Sequence, residues 1–399
     1  MRKRTPSCLL NSALVAVLLC ANSAWAGPGE KTLYSFTGGA SGSYPYGTMI
    51  FDNSGTLYGL AGSAVFKLTP SGGGSWTENL IYSFSDYPGP NLFFDSIGNL
   101  YGVSPSSGSN GCGEVYQLTP SSGGGWTENI IFGFASSTTD GCNPTSLTID
   151  PATGNLYGTT QGGGSSNGGV VFELTPTGGG GWTFAAIYSF ESNSSQDGID
   201  PIGTLSVDSS GNLYGTTNQG GTYENGTVFK LTKGAGGWTE AILYNFTGGN
   251  NGSQPLAGVV LDRYGNLYGT SYQGGADNVG NVYRLRPTKG VWVITVIHTF
   301  TGGPDGGYPS IFNLAIDSAG NLYRTTGAGG FYNYGIVYKL TPPANGSGWK
   351  ETVFHSFTNG ADGGNPDCGL VLDSSRNLYG TTTYGGAYGV GVVFEIQAH

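Results

Sequence analysis

Residues 256–270 read L-A-G-V-V-L-D-R-Y-G-N-L-Y-G-T. An apolar run ends on Asp262, a tight turn closes on Gly265, and a second short run spans Asn266–Thr270. Branched and aromatic residues on either side of an Asp/Gly turn read as two antiparallel strands, A over Leu256–Asp262 and B over Asn266–Thr270. Val282–Leu285 supplies a third strand, C, matching Val65–Leu68. A fourth, D, runs from a glycine turn through a Trp to a closing Phe, as in Trp238–Phe246.

This unit recurs. Its Tyr stands at Tyr58, Tyr101, Tyr157, Tyr214, Tyr268, Tyr323 and Tyr379. The turn Asp recurs at Asp52, Asp95, Asp150, Asp208, Asp262, Asp317 and Asp373, at separations of 43, 55, 58, 54, 55 and 56. A four-stranded sheet repeated seven times predicts an all-β fold, a seven-bladed β-propeller of antiparallel blades. The closing Phe occurs seven times, at Phe36, Phe84, Phe134, Phe190, Phe246, Phe300 and Phe357, but the Trp only six times. The first repeat therefore opens on a lone D strand, Thr32–Phe36, and the last closes on a lone C strand, Val392–Ile396. Their pairing is expected to complete the seventh blade and close the ring, removing two exposed edges.

Composition agrees. The chain of 399 residues holds 74 Gly and 25 Tyr, with only 10% charged residues, which disfavours long helices. Residues 1–26 read as a signal peptide: a basic head (Arg2, Lys3, Arg4), an apolar stretch over Leu9–Leu19 and a small-x-small cleavage site, Ala24-Trp25-Ala26. Residues 27–399 are then a single propeller domain. Cleavage leaves 12 basic against 25 acidic residues, a net charge near −13. That balance excludes a nucleic-acid binder. No later segment is apolar enough to span a membrane, and no anchor follows the seventh copy, so the chain is expected to be secreted. Export permits disulfides. Cys112 and Cys142 fall on one face at one blade boundary and are expected to pair, leaving Cys368 buried and free.

The repeated G-N-L-Y-G-T-T, G-x-V-F-x-L-T-P and G-G-W-T-E-x-x-x-Y-S-F segments resemble those of the choice-of-anchor tandem repeat GloVer-containing proteins, exported bacterial repeat proteins. The resemblance covers essentially all of residues 27–399. It implies extracellular or surface placement and supplies no catalytic residues to carry over.

Residues common to every copy are read as structural: Tyr and Trp as packing between blades, and the Asp as an acceptor for amides of its own turn. The C–D turns lack the Asp of a sialidase Asp box, and the arginines are too scattered for a sialidase cluster. His298 and His355 replace a strand-D Tyr, so the converging histidines of streptogramin-lyase-type propellers are missing.

Function is expected where the copies differ, on the face shared by the D–A and B–C loops. An aromatic cluster there comprises Tyr308, Phe331, Tyr332 and Tyr334 of blade 6, Tyr384 and Tyr388 of blade 7, and Tyr44 and Tyr46 at the entry to blade 1. Arg324 replaces the Gly of N-L-Y-G in blade 6 and is read as a contact beneath this patch. The composition suits a glycan or a cell-envelope protein. Asp140, Asp197, Asp305 and Asp362 occupy D–A loops, where hard oxygen ligands could hold calcium; no other cofactor is expected. The leading expectation is a monomeric, non-catalytic binding module. The alternative is a polysaccharide lyase or glycoside hydrolase using Asp197, Asp200, Asp305, Asp362 or Asp367 with a Tyr.

Overall fold

The computed structural model describes residues 29–397 apart from 109, 136–138, 193, 195 and 345–347. The leader assigned to residues 1–26, and His399, lie outside them. Seven mainly antiparallel sheets form the blades of a β-propeller, and no α-helix occurs among the described residues. Blade 5 is typical: Val260–Leu261 (A), Leu267–Ser271 (B), Asn281–Thr288 (C) and Val291–Thr299 (D), joined in that order.

The ring closes as the repeat count demands. Glu30–Ser35 pairs antiparallel with Val392–Ile396, with Glu30 opposite Ile396 and Ser35 opposite Val392. Phe36 follows it into full burial and meets Phe66 of blade 1 edge-on at 5.1 Å. A second tie reinforces the seam, because Cys368–Gly369 pairs in parallel with Gly47 and Thr48 of blade 1.

The inner strand is shorter than the sequence suggests. Of Leu256–Asp262 only Val260–Leu261 is ladder-paired. The segment before it turns toward blade 4, where Thr216 donates to the Ala257 carbonyl at 2.8 Å. Gly258 lies so close to the Thr204 carbonyl that a Cβ there would collide with it. The inner segments thus press on one another around the axis, and Asn91 of blade 2 reaches Thr204 of blade 4 at 2.6 Å.

Seven apolar layers between blades make up the core. Tyr268, Val282 and Phe300 of blade 5, for example, pack with Leu314, Leu322 and Tyr338 of blade 6. The repeated Tyr and Trp meet across these layers, as in Tyr58–Trp126 at 6.2 Å and Tyr157–Trp238 at 5.8 Å. Blade 7 takes its D strand from Glu30–Ser35, which has no Trp. Tyr323 of blade 6 stacks on Phe354 instead, at 6.3 Å. The turn Asp orients the Tyr: Asp262 accepts the Tyr264 and Asn266 amides at 2.8 and 2.9 Å and the Tyr268 hydroxyl at 3.2 Å.

Candidate functional site on the variable loop face

Each blade entry but one carries the same device. The residue before the D–A loop proline has a left-handed backbone: Tyr44 (φ 52°), Asn143 (59°), Asp200 (67°), Gln254 (54°), Tyr308 (53°) and Asn365 (53°). Positive φ is costly for any residue but Gly, and a following proline disfavours it in its own way. The cost is met by a hydrogen bond of 2.7–3.0 Å from each amide to a B–C loop carbonyl of the preceding blade, such as Tyr308 N–H to Val279 and Asn365 N–H to Tyr334. The proline packs on the Gly that opens the preceding strand C. A Cβ at Gly113, Gly169, Gly226, Gly280, Gly335 or Gly391 would lie only 2.4–2.7 Å from that ring's Cδ. Six variable side chains are thereby placed at equivalent points around the mouth, a crown of Tyr, Asn, Asp and Gln. Only blade 2, entered through Tyr87-Pro88-Gly89-Pro90, lacks it.

Within this crown, blades 5, 6 and 7 enclose a cavity of about 440 Å³. Tyr272 and Tyr308 form one wall with ring centroids 5.2 Å apart. Tyr384 forms the other, backed by Tyr44 at 5.8 Å. Asn365, Ser310, Ile311 and Asp367 also line it, with Leu256, Gly327, Ala328 and Thr383 between them. Asp367 is exposed to the cavity, and desolvation by the surrounding protein raises its carboxyl, while the Ile311 amide and the Arg324 charge oppose the rise. Arg324 has no exposed surface and donates to the Ser310 carbonyl beneath the cavity floor. Burial pulls its guanidinium down to about 10. It stands opposite Tyr338, where other blades set Gly against an aromatic ring, as in Gly269 and Tyr283.

Of the sequence-selected aromatics, Tyr308 and Tyr384 line this cavity and Tyr44 supports it. Tyr46 is half-buried and donates to the Pro88 carbonyl at 2.7 Å. Phe331, Tyr332, Tyr334 and Tyr388 lie on the B–C loops of blades 6 and 7 outside the cavity lining; Phe331, at 78%, is the most exposed of them. Tyr272, Ser310 and Asn365 were not selected. Asn365, the crown residue among them, is legible as the variable residue before a D–A proline; Tyr272 and Ser310 carry no such signal.

The loop carboxylates do not gather. Asp197 accepts from Tyr188 and the Glu191 amide, Asp305 from Thr301, and Asp140 from Thr139. Asp362 accepts from His355 at 2.9 Å and from Thr358. Burial alone would raise Asp362, but these bonds hold it below the usual range. Asp200 accepts from Asn218 at 3.0 Å. Each of these residues thus serves its own blade entry, and only Asp367 faces the cavity. The paired cysteines lock another entry: Cys112 and Cys142 form a disulfide with a Cα separation of 4.5 Å, while Cys368 is buried and free.

On the opposite face, the hollow of about 600 Å³ between blades 1 and 2 is floored by Asp52 and Asp95. Their carboxylates are already taken by Ser54, Thr56 and Tyr58, and by Ile97, Asn99 and Tyr101. Its chemistry is therefore that of the repeat itself.

The model of the Gloeobacter/Verrucomicrobia repeat matches residues 24–196, 87–314 and 293–399. No curated protein matches the chain in sequence. Among solved structures, a streptogramin B lyase is similar with a TM-score of 0.57 at 15% identity, over 93% of this chain and 98% of its own. Virginiamycin B lyase from Staphylococcus aureus gives 0.54 at 15%, over 92% and 98%. The extracellular domain of a putative one-component system from B. thetaiotaomicron gives 0.56 at 13%, over 92% of this chain and 42% of that one. At such identities the likeness is one of fold.

Proposed function

We propose, from the premise that this chain belongs to the Gloeobacter/Verrucomicrobia repeat family, that it is an exported propeller whose variable loop face binds a glycan without altering it. The observation that carries this reading is the cavity of blades 5–7: three tyrosines and one carboxylate on a rigid scaffold. Tyr faces suit the C–H surfaces of sugar rings, and Asn365, Ser310 and Asp367 offer partners for hydroxyls. Hydrolysis by paired carboxylates needs a second acid within reach, and the lining contains Asp367 alone. The Cys112–Cys142 disulfide suits an oxidising compartment, and no helix among the described residues is long and apolar enough to cross a membrane. The reading calls for no metal, since Asp140, Asp197, Asp305 and Asp362 are engaged by donors of their own loops.

Glycan-array binding of the purified chain, run beside turnover assays on the same polysaccharides, tests it. Retention of a glycan with no change in its length supports the reading. Chain cleavage would replace it with the enzyme reading, with Asp367 as the acid. Binding confined to an envelope protein would move the site to the exposed aromatics Phe331, Tyr332 and Tyr388.

A further inference from the structure

We propose that the ligand of this cavity is a carbohydrate without acidic groups, recognised through neutral hydroxyls. The inference rests on the glycan reading and narrows it.

The variable loop face carries acidic side chains and no basic ones, whereas the A–B turn face carries both. The D–A and B–C loops hold ten of the 25 acidic residues and none of the Lys or Arg residues. The basic residues lie elsewhere: Lys67, Lys230 and Lys339 on C strands, Arg263 and Arg376 in A–B turns, Lys289 in a C–D turn. Arg324, the one cation below the cavity, is fully enclosed and donates to a backbone carbonyl. An incoming carboxylate, sulfate or phosphate therefore meets a surface of one sign with no cation to receive it. Like-charge juxtaposition of this kind disfavours an anionic partner.

The same groups do not make a cation site. The carboxylates of Asp197, Asp305 and Asp362 accept hydrogen bonds from their own loops, and Asp200 is bound by Asn218. What faces the ligand is mostly uncharged: the Tyr308, Tyr272 and Tyr384 rings, the Asn365 amide and the Ser310 hydroxyl oxygen, with Asp367 as the single charged acceptor. Asn365 and Ser310 each already give one hydrogen to a backbone carbonyl, of Gly327 and Cys368. That is a donor and acceptor set for hydroxyls set between aromatic walls. Tyr308 stays at φ 53°, where Gly would be unstrained, and bulky residues hold such backbones chiefly where the side chain is needed.

Affinity electrophoresis of the full mature chain tests the assignment, using gels containing dextran, xylan, glycol chitosan, polygalacturonate or heparin at low and high salt. At least one neutral polymer should retard the chain equally at both salt levels, and the two anionic polymers should bind at least about tenfold more weakly. Tyr308→Gly should weaken the neutral interaction about tenfold or more without lowering Tm, because it gives the strained backbone the residue it favours. Retardation by polygalacturonate or heparin as strong as by a neutral polymer would overturn the proposal. So would retardation by glycol chitosan alone that vanishes in high salt, or unchanged affinity in Tyr308→Gly. If no glycan of any charge is retained, the binding reading itself fails.

Discussion

Gly335 shows how much one hydrogen atom decides in this protein. It opens strand C of blade 6 at φ 88°, and a Cβ there would lie 2.6 Å from Pro366 Cδ and closer still to the Thr326 carbonyl. Neither neighbour is the end of a flexible side chain. Gly335→Ala is expected to cost about 2–4 kcal/mol, read as a fall of several degrees in the thermal midpoint. Glycines of the C–D turns such as Gly72, with nothing near their Cβ position, should tolerate Ala at the lower cost of backbone strain alone. The sequence presents these glycines as equals. Which of them face a proline of the next blade follows only from packing, because that proline is about thirty residues away in the chain and, for Gly391, is Pro45 at its other end. Arg324 is the converse case. Its departure from the repeat is visible in the sequence, but its complete enclosure below Ser310 and Asp367 comes from neighbouring inner strands folding over it.

Between outer strands, titratable side chains link one blade to the next. Tyr34 donates to Glu78 at 3.3 Å, Tyr82 to Glu128 at 2.8 Å, and His298 lies 3.5 Å from Glu351. Burial, and then the charge of Asp305, raises the Glu351 carboxyl to about 8. Burial and then Asp197 raise Glu240 to about 7. Both groups hold a proton more tightly when folded, so their contribution is complete below the unfolded carboxylate pKa of about 4.3 and is lost as pH rises toward 8. His298 is lowered by burial. Its contribution has the opposite sign, present above the unfolded value and lost as pH falls, and so offsets part of the trend near pH 6. The thermal midpoint should decline by a few degrees between pH 5 and about 8, and Glu240→Gln with Glu351→Gln should flatten that decline in a calorimetric pH series. The disulfide is a second link between elements. Replacing Cys112 and Cys142 by Ser removes a 30-residue closure and should cost about 3 kcal/mol, measured by chemical denaturation.

For the ring as a whole, the closing strand decides whether it holds. Removing residues 27–36 takes away Leu33 and Phe36, both buried, and uncovers the backbone edge of Val392–Ile396. The melting temperature should drop by about 10 °C or more, with aggregation through the open edge; an unchanged melting curve would contradict the observed closure. By itself the sequence determined the all-β class, the seven blades, the closing strand and the Cys112–Cys142 pair. Each of these follows from local periodicity or from counting copies of one motif, and such information lies along the chain. The tertiary structure alone decided which aromatics converge. Of the eight chosen by loop position, Tyr308 and Tyr384 enclose the cavity with Tyr44 behind, while Tyr272, from a different loop, completes the wall. It also decided that Asp367 faces that cavity while Asp197, Asp305 and Asp362 serve their own turns. The reason is physical: repeats dictate where each loop begins, but the direction of the crown side chains depends on left-handed backbones whose amides donate to carbonyls of the preceding blade, and the other walls depend on how neighbouring loops pack.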